Sequence, residues 1–210
     1  MAKVLDKRVI DAALDVARER AEQGSLTTGG SPDVAARRFR TTRFGEIDVD
    51  PDLVIDLVEG MIGFESCHEF VVVRHDDRSA FRWLQSLDEP AIAFPIVEPV
   101  SVRPDYAPTI SDSDARLLGL KQDTPTLLFV VVCVPGGDPK AMTANLLAPL
   151  VINGFTRMGK QVIVQDEGYG TRHLLVKELD RAARLGSAPV DVSPITAQQS
   201  GRKSAPARAA

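Results

Sequence analysis

The middle of the chain is a succession of short apolar segments, and each one is closed by Asp, Gly, Pro or Asn. In order they are FGEIDVD, FVVVR, FRWLQSL, AIAFPIV, SVRP, LLFVVVCV, NLLAPLVI, QVIVQD and HLLVKEL. Their β-branched and aromatic residues favour strands, and a spacing of roughly a dozen residues leaves little room for the crossover helices that parallel strands need. The sequence therefore predicts a mainly β protein, built as a small antiparallel β-barrel-like domain.

Helical patterns are found in two other stretches. Over residues 4–21, before Gly24, apolar residues recur at three- and four-residue spacing and predict an N-terminal amphipathic helix. The segment SDSDARLLGL begins with Ser and Asp, which favour helix starts, and Gly119 lies near its end. It predicts one short helix within the β-rich part.

Composition changes on both sides of the β-rich part. The stretch QGSLTTGGSPDVAARR is rich in Gly, Ser, Thr and Pro, as flexible linkers are. The last residues have the same character and carry three bases but no acid after Asp191. We therefore expect a helix and linker over residues 1–40, the barrel domain over 41–185, and a disordered basic tail over 186–210.

Apolar run length and cysteine usage indicate the compartment. The longest apolar runs are far shorter than the roughly 20 residues of a membrane-spanning helix, and the N-terminal segment mixes acids with bases, unlike a secretory signal. Cys67 and Cys133 form no C-x-x-C pair, so neither a disulfide framework nor a metal site is predicted. We expect a cytoplasmic protein without a membrane partner.

The charge of the chain is unevenly distributed. Residues 41–176 carry 11 Lys and Arg against 20 Asp and Glu, a net charge of −9, whereas the whole chain has a net charge of −4. Such an acidic body repels nucleic acid and attracts basic proteins. The sequence therefore predicts a basic protein partner and no direct nucleic-acid binding.

The segment GFTRMGKQ resembles a phosphate-binding P-loop, since Gly154, Gly159 and Lys160 have the required spacing. A P-loop leads into a helix and ends on Ser or Thr, which binds magnesium. Here the segment leads into the strand-like QVIVQ, and Gln161 replaces the hydroxyl residue. A β-hairpin is the favoured interpretation, with Asn153, Gly154 and Gly159 supplying turn conformations.

Other catalytic patterns are no stronger. His68 and His75 lie among acidic residues but lack the ligand spacing of a metal motif. His173, beside Arg172, could act as a general base, yet its neighbours include no nucleophile. We therefore predict a protein that is not an enzyme and has no cofactor or metal.

Several segments, taken together, resemble the FliW family of flagellar assembly factors. They are RFGEIDVD, EGMIGFES, FRWLQSLDEPAIAF, PDY, MTANLLAPLVIN, GKQVIV and YGTRH, and the resemblance covers about residues 41–175. The resemblance implies a small β-barrel-like cytoplasmic protein without catalytic activity. It also implies two partners, flagellin and the RNA-binding regulator CsrA, which the protein holds away from flagellin mRNA when flagellin is scarce. Leu174 departs from the family pattern, which often has Pro after the histidine.

The partner-contact surface is predicted from loop and hairpin residues. The candidates are acidic or aromatic residues in loops, and polar or basic residues around the hairpin: Phe64, Glu65, Asp105, Tyr106, Asn145, Arg157 and Lys160. Asn145 and Asn153 bracket an apolar run, and a terminal amide more often satisfies turn backbone than contacts a partner.

Two other functions remain open at this point. The chain could be a flagellin-specific chaperone without a regulatory role. It could also be a β-barrel that binds a small molecule near Tyr169, Arg172 and His173. A deep pocket would favour the small-molecule function, whereas an exposed strand edge or apolar patch would favour protein binding.

Overall fold

The computed structural model describes residues 3–4, 36–74 and 79–186. The strands are β1 Lys3–Val4, β2 Arg37–Thr41, β3 Gly45–Val49, β4 Ile55–Leu57, β5 Glu69–Val73, β6 Phe81–Ser86, β7 Ala93–Val97, β8 Thr109–Ile110, β9 Thr126–Cys133, β10 Thr143–Ala144, β11 Leu150–Asn153, β12 Met158–Gln161 and β13 His173–Leu174. The helices are α1 Pro99–Val102, α2 Asp112–Leu117 and α3 Leu175–Arg184. Short 3-10 turns span Pro51–Leu53, Pro135–Gly137 and Pro139–Ala141.

Seven strands close into a barrel in the order β4, β5, β6, β7, β9, β11 and β12. Neighbouring strands are antiparallel, except that β12 pairs with β4 in parallel through Met158↔Asp56 and Gly159↔Leu57. β10 and β13 continue from the edge of β9, and β2 with β3 forms a separate hairpin. The mainly β, barrel-like architecture is thus confirmed.

Apolar residues are buried on both sides of part of the barrel wall. The interior cluster draws side chains from six of the seven barrel strands: Ile55, Leu57, Phe70, Leu84, Ile96, Leu127, Phe129, Leu150 and Ile152, with Met61 and Cys67 from the loop after β4. The outer cluster contains Leu128, Val130, Val132 and Val151 on the opposite face of β9 and β11, with Val102, Ile110 and Leu175 packed over them. β9 is therefore apolar at nearly every position because both of its faces are buried.

The predicted hairpin is confirmed, but its turn differs in detail. β11 and β12 pair through Leu150↔Gln161 and Ile152↔Gly159, with residues 154–157 between them. Gly159 lies in β12 and not in the turn. Arg157 takes the left-handed conformation instead, with φ of 62°.

Gly159 leaves room for two interior side chains. A Cβ atom there would lie 2.8 Å from Leu57 Cδ2 and 3.0 Å from Ile152 Cγ1. We expect Gly159→Ala to lower the free energy of unfolding by about 1–2 kcal/mol because the core is overpacked. Urea unfolding would measure this, with Gly170→Ala as control, where the nearest atom is 3.5 Å away. Equal stability of the two variants would contradict the tight packing.

Two segments predicted as strands are mainly helical. SVRP lies at the end of α1, a single turn that Pro99 begins, since its fixed φ suits the first helical position. HLLVKEL contributes only His173 and Leu174 to β13 and then becomes α3, whose buried residues Leu175, Glu178 and Ala182 follow helical spacing. The described residues therefore contain three helices, whereas the sequence predicted only one among them.

Some predictions extend beyond the described residues. Val4, the first residue of the predicted N-terminal helix, belongs to β1, and the rest of that helix lies outside the described part of the chain. The predicted C-terminal tail after Gly186 lies outside it as well. β2 begins at Arg37, four residues before the predicted domain boundary at residue 41.

Candidate functional site

The loop between β4 and β5, residues 58–68, covers one end of the barrel. Met61 and Cys67 point into the interior cluster and are 2% and 3% exposed. Between them, Ile62 and Phe64 are 54% and 40% exposed. The Phe64 ring lies edge-on against Phe94, with the ring centroids 5.2 Å apart. The loop thus anchors itself with two apolar side chains and presents two others to solvent.

Backbone contacts hold this end loop in shape. Gly60 has φ of 69°, and a Cβ atom on it would lie 2.6 Å from the carbonyl oxygen of Glu65. The Gly63 amide donates to Glu65 Oε1 at 2.9 Å. That hydrogen bond, assisted by the amide of Glu65 itself, lowers the pKa of the Glu65 carboxyl. Glu65 is therefore a fixed, exposed negative charge beside Phe64.

Gln161 joins the end loop to the barrel wall. Its Oε1 accepts from the Ile62 amide at 3.2 Å, and its Nε2 donates to the Ala148 carbonyl at 3.1 Å. Two residues further on, Ile163 is 63% exposed. Ile62 therefore lies beside β12, and Ile163 is exposed just beyond the end of that strand. Exposed apolar side chains of this kind are found in protein-binding surfaces.

Lys160 on β12 connects three elements. Its Nζ lies 2.7 Å from Glu59 Oε1 in the end loop and 3.0 Å from Asp114 Oδ1 in α2. The hydrogen bond to Glu59, supported by Asp114, raises the pKa of Lys160. With a side chain only 18% exposed, Lys160 ties α2 and the end loop to the barrel more than it presents a free cation.

The Asp114 carboxylate should make the free energy of unfolding depend on pH in the acid range. Partial burial acts to raise the pKa of Asp114, but hydrogen bonds from Ser111 and Lys160 outweigh it and hold the pKa below the usual 3.8. Its contribution to folding is thus present above pH 3.8 and is lost as the pH falls through the folded-state pKa.

We therefore expect Asp114→Asn to cost about 1 kcal/mol at neutral pH and much less in acid. Urea unfolding of both proteins across this range would measure the difference. Asp123→Asn, in the exposed turn before β9, is the control. A cost that stayed constant down to the lowest pH would contradict the assigned ion pair.

The hairpin turn is organised by Asn153. Its Oδ1 accepts from the amides of Phe155 and Thr156, and its Nδ2 donates to the Leu118 carbonyl at 2.8 Å. Asn153 is only 3% exposed, whereas the Phe155 ring at the tip of the turn is 71% exposed. The expected role of Asn153 in satisfying turn backbone is confirmed.

Asp105, Tyr106 and Asn145 belong to a second group, around the loop after α1. Asp105 pairs with Arg181 of α3 and lies 3.6 Å from Arg103. Asn145 Oδ1 accepts from the Ala148 amide at 3.1 Å. Asp105 remains partly exposed, so a carboxylate is presented at the surface of this loop.

Tyr106 is a buried residue. Its ring is 3% exposed and lies 4.6 Å from the Tyr169 ring, measured between centroids, and its hydroxyl donates to the Leu146 carbonyl at 2.7 Å. Burial, with Tyr169 and Asp166 nearby, raises the pKa of Tyr106. Contrary to its predicted place on the surface, Tyr106 supports the loop from beneath.

His173 uses both ring nitrogens within the fold. Nε2 accepts from the Gly170 amide at 2.8 Å, and Nδ1 lies 3.0 Å from Glu178 Oε1. Acceptance at Nε2 assigns the neutral tautomer with the proton on Nδ1. The histidine that was considered as a general base therefore fixes the loop before β13.

Neither a metal centre nor a membrane-spanning helix is found in the residues that the structure describes. Within that part of the chain, no three His, Cys, Asp or Glu side chains are placed to hold a metal ion. His68 Nδ1 donates to the Leu57 carbonyl, 2.8 Å away. His75, considered with it, lies outside the described residues. None of the described helices is both long and apolar enough to cross a membrane.

The structure thus places the predicted contact residues in two groups. Phe64 and Glu65 lie in the end loop, Lys160 binds Glu59 of the same loop, and Arg157 lies in the adjoining hairpin. Asp105 and Tyr106 lie in the loop after α1, and Asn145 is next to Leu146, which Tyr106 contacts. Sequence reasoning missed Glu59 and Asp114, the partners of Lys160, and the exposed Ile62 and Ile163. The segment GMIGF carried a usable signal, since two glycines around apolar residues indicate a tight loop.

Comparison with known proteins covers the barrel and its loops. A family model described as FliW protein matches residues 38–175. A protein named flagellar assembly factor FliW from Thermotoga neapolitana is 36% identical over 145 residues, which are 69% of this chain and 97% of the relative. The same name is borne by a relative from Leptospira biflexa, 34% identical over 68% of this chain and 93% of its own length.

A solved structure shares the architecture. A crystal structure of the flagellar assembly factor FliW aligns with a TM-score of 0.61 and 32% identity. The alignment covers 66% of this chain and 96% of that one. The relatives therefore correspond to the barrel, and the match to the family model ends at the first residue of α3.

Proposed function

Because this chain belongs to the FliW family of flagellar assembly factors, we propose that it is a non-catalytic cytoplasmic protein that binds flagellin and a CsrA-type regulator. When flagellin is scarce, the free protein holds the regulator away from flagellin mRNA. When flagellin accumulates, flagellin occupies the protein and releases the regulator. Translation of flagellin is thereby coupled to its secretion.

The family match across the whole barrel carries this proposal, and the charge of the barrel supports it. Residues 41–176 have a net charge of −9, and RNA-binding regulators present basic surfaces to the phosphate backbone. Long-range attraction between opposite charges accelerates association more than it strengthens the final complex. The acidic barrel is thus suited to capture a basic regulator quickly.

We assign partner contact to the two surface groups. The end loop offers Ile62 and Phe64 as apolar contacts beside the Glu65 carboxylate. The second group offers the Asp105 carboxylate. A mixture of exposed apolar side chains and fixed acidic groups suits a partner with a basic rim around an apolar centre.

The first experiment is a binding titration with purified proteins. Flagellin and the CsrA-type regulator are titrated separately onto the full chain and then together. We expect each to bind alone, and flagellin to release the regulator. Binding of flagellin alone would replace the regulatory function by a chaperone function. Binding of neither protein would contradict the proposed function.

Charge reversal tests the assigned surfaces. We expect Glu65→Lys and Asp105→Lys each to slow association with the regulator by about three- to tenfold at low salt, since each removes an attraction and adds a repulsion. Stopped-flow association rates, measured from low to high salt, provide the readout.

Asp123→Lys, at an exposed position in the turn before β9, makes the same change in net charge. An equal slowing by this control would assign the effect to net charge and not to the two surfaces. A rate for the unmodified protein that stayed flat with salt would exclude electrostatic capture altogether.

A further inference from the structure

Helix α3 lies on the same loop that carries Asp105, yet it belongs to the part of the chain beyond the family match. The match ends at Leu175, and α3 continues to Arg184. The helix turns Leu175, Glu178 and Ala182 toward the barrel and packs near α1. The helix that follows the residues matched by the family model therefore covers part of the barrel surface.

The contacts of α3 are mostly polar. Glu178 Oε1 lies 3.0 Å from His173 Nδ1 and 3.6 Å from an Arg103 terminal nitrogen. Arg181 donates to Asp105 at the surface. After Leu175, the apolar side chains that the helix buries, within the described residues, are Ala182 and, in part, Leu179, which packs against the outer cluster. Apolar burial in the last two turns is therefore limited to these two side chains.

The polar contacts are also incompletely satisfied. Glu178 Oε2 is buried and has no hydrogen-bond partner among the described residues, and the buried Arg103 Nε makes only an ion-pair contact with the Asp105 carboxylate, 3.6 Å away. A buried polar atom without a partner loses its hydration and gains nothing in return. Releasing α3 would return Glu178 Oε2 to water, which offsets part of the cost of breaking the contacts of Glu178 Oε1 with His173 and Arg103.

A surface groove lies beside the far end of α3. It has a volume of about 540 Å³ and is lined by Asp105, Lys177, Asp180, Arg181, Arg184 and Leu185. Contact across the groove depends on the Arg181 pair with Asp105, whose side chains are 49% and 43% exposed. Exposed ion pairs contribute little to stability because water screens them.

We infer that α3 is a displaceable cover that competes in cis with a basic partner for the Asp105 surface. Arg181 of the helix is paired with the carboxylate that a basic regulator would use. Undocking exposes Asp105, Arg103 and the edge of Tyr169, whereas the barrel stays folded. This inference rests on the proposed function, since it identifies how access to one of the two proposed surfaces is controlled.

The test combines hydrogen exchange with regulator binding on the full chain. Arg181→Glu/Ala182→Glu removes the surface ion pair and places a charge on the buried side of α3. The matched control, Lys177→Glu/Ala183→Glu, makes equivalent changes at exposed positions of the same helix. Both variants have the same net charge, so a difference between them reports on docking.

In the unmodified protein we expect the amides of α3 to exchange well before those of β9. In the release variant, Arg181→Glu/Ala182→Glu, we expect these amides to lose protection. We also expect its affinity for the purified CsrA-type regulator to be about tenfold higher than that of the control. A tenfold rise corresponds to a site that α3 covers in about nine molecules of ten. Exchange of α3 only together with the barrel would overturn the inference, whether or not the regulator binds.

Equal affinity of the release variant and the control would also overturn the inference and leave the proposed function intact. If neither variant nor the unmodified protein binds the regulator or flagellin, the proposed function fails as well. The two failures are therefore distinguishable.

Discussion

Gly60→Ala is expected to lower the free energy of unfolding by about 3 kcal/mol, because alanine meets two separate penalties there. The backbone φ of 69° is unfavourable for any residue with a Cβ atom, and that atom would lie 2.6 to 2.8 Å from the backbone of Glu65. Backbone atoms cannot rotate away as a side chain can, so the end loop must shift. The melting temperature should fall by about 6–12 °C.

Gly63→Ala is the matched control in the same loop. Its φ of 86° carries the conformational penalty, but an added Cβ would meet no described atom within 4 Å. We expect a loss of about 1 kcal/mol, from backbone conformation alone. Thermal unfolding of the two variants separates the two penalties, and equal losses would show that Gly60 is required only for its φ. Because the loop also carries Phe64 and Glu65, Gly60→Ala should weaken partner binding as well.

Asn153→Ala should produce the other large loss of stability, also about 3 kcal/mol, because it leaves buried backbone groups without partners. The side chain joins the amides of Phe155 and Thr156 to the Leu118 carbonyl, and so ties the hairpin turn to the end of α2. Alanine supplies neither the acceptor nor the donor, and the site is too buried for free hydration.

Two further variants divide the effect of Asn153. Asn153→Asp keeps the acceptor but replaces the donor with a charge that faces the Leu118 carbonyl, so we expect a loss similar to that of alanine. Asn145→Ala removes one hydrogen bond from a half-buried side chain and should cost about 1 kcal/mol. Chemical denaturation measures all three, and a small loss for Asn153→Asp would show that the link to Leu118 contributes little.

The strand pattern in the sequence predicted the barrel because strand propensity and turn residues coincide there. In FRWLQSL, for example, Phe81 and Trp83 alternate with Arg82, and they are 3% and 4% exposed. The continuous run in β9 gave no such alternation, since both faces of that strand are buried. Such a run identifies a core element but not what covers it.

Local patterns were wrong where tertiary contacts decide the conformation. In HLLVKEL the apolar residues fit either period, and the helix is selected by what Glu178 and Ala182 contact on the barrel. The candidate contact residues were predicted from their residue types, but the neighbours that each side chain contacts in the fold could not be predicted. Lys160 and Glu59 are 101 positions apart, and local patterns carry no information on such pairs.

The parallel pairing of β12 with β4 has a consequence for how the protein is made. β4 is the first strand of the barrel in the chain and β12 is the last. The barrel can therefore close only when Gly159 of β12 pairs with Leu57 of β4. Contacts between distant residues form slowly because a long loop must be ordered first. On the ribosome, the growing chain therefore carries an open sheet with two free edges until β12 has emerged. Dependence on early chaperone contact should be greatest over that interval of synthesis.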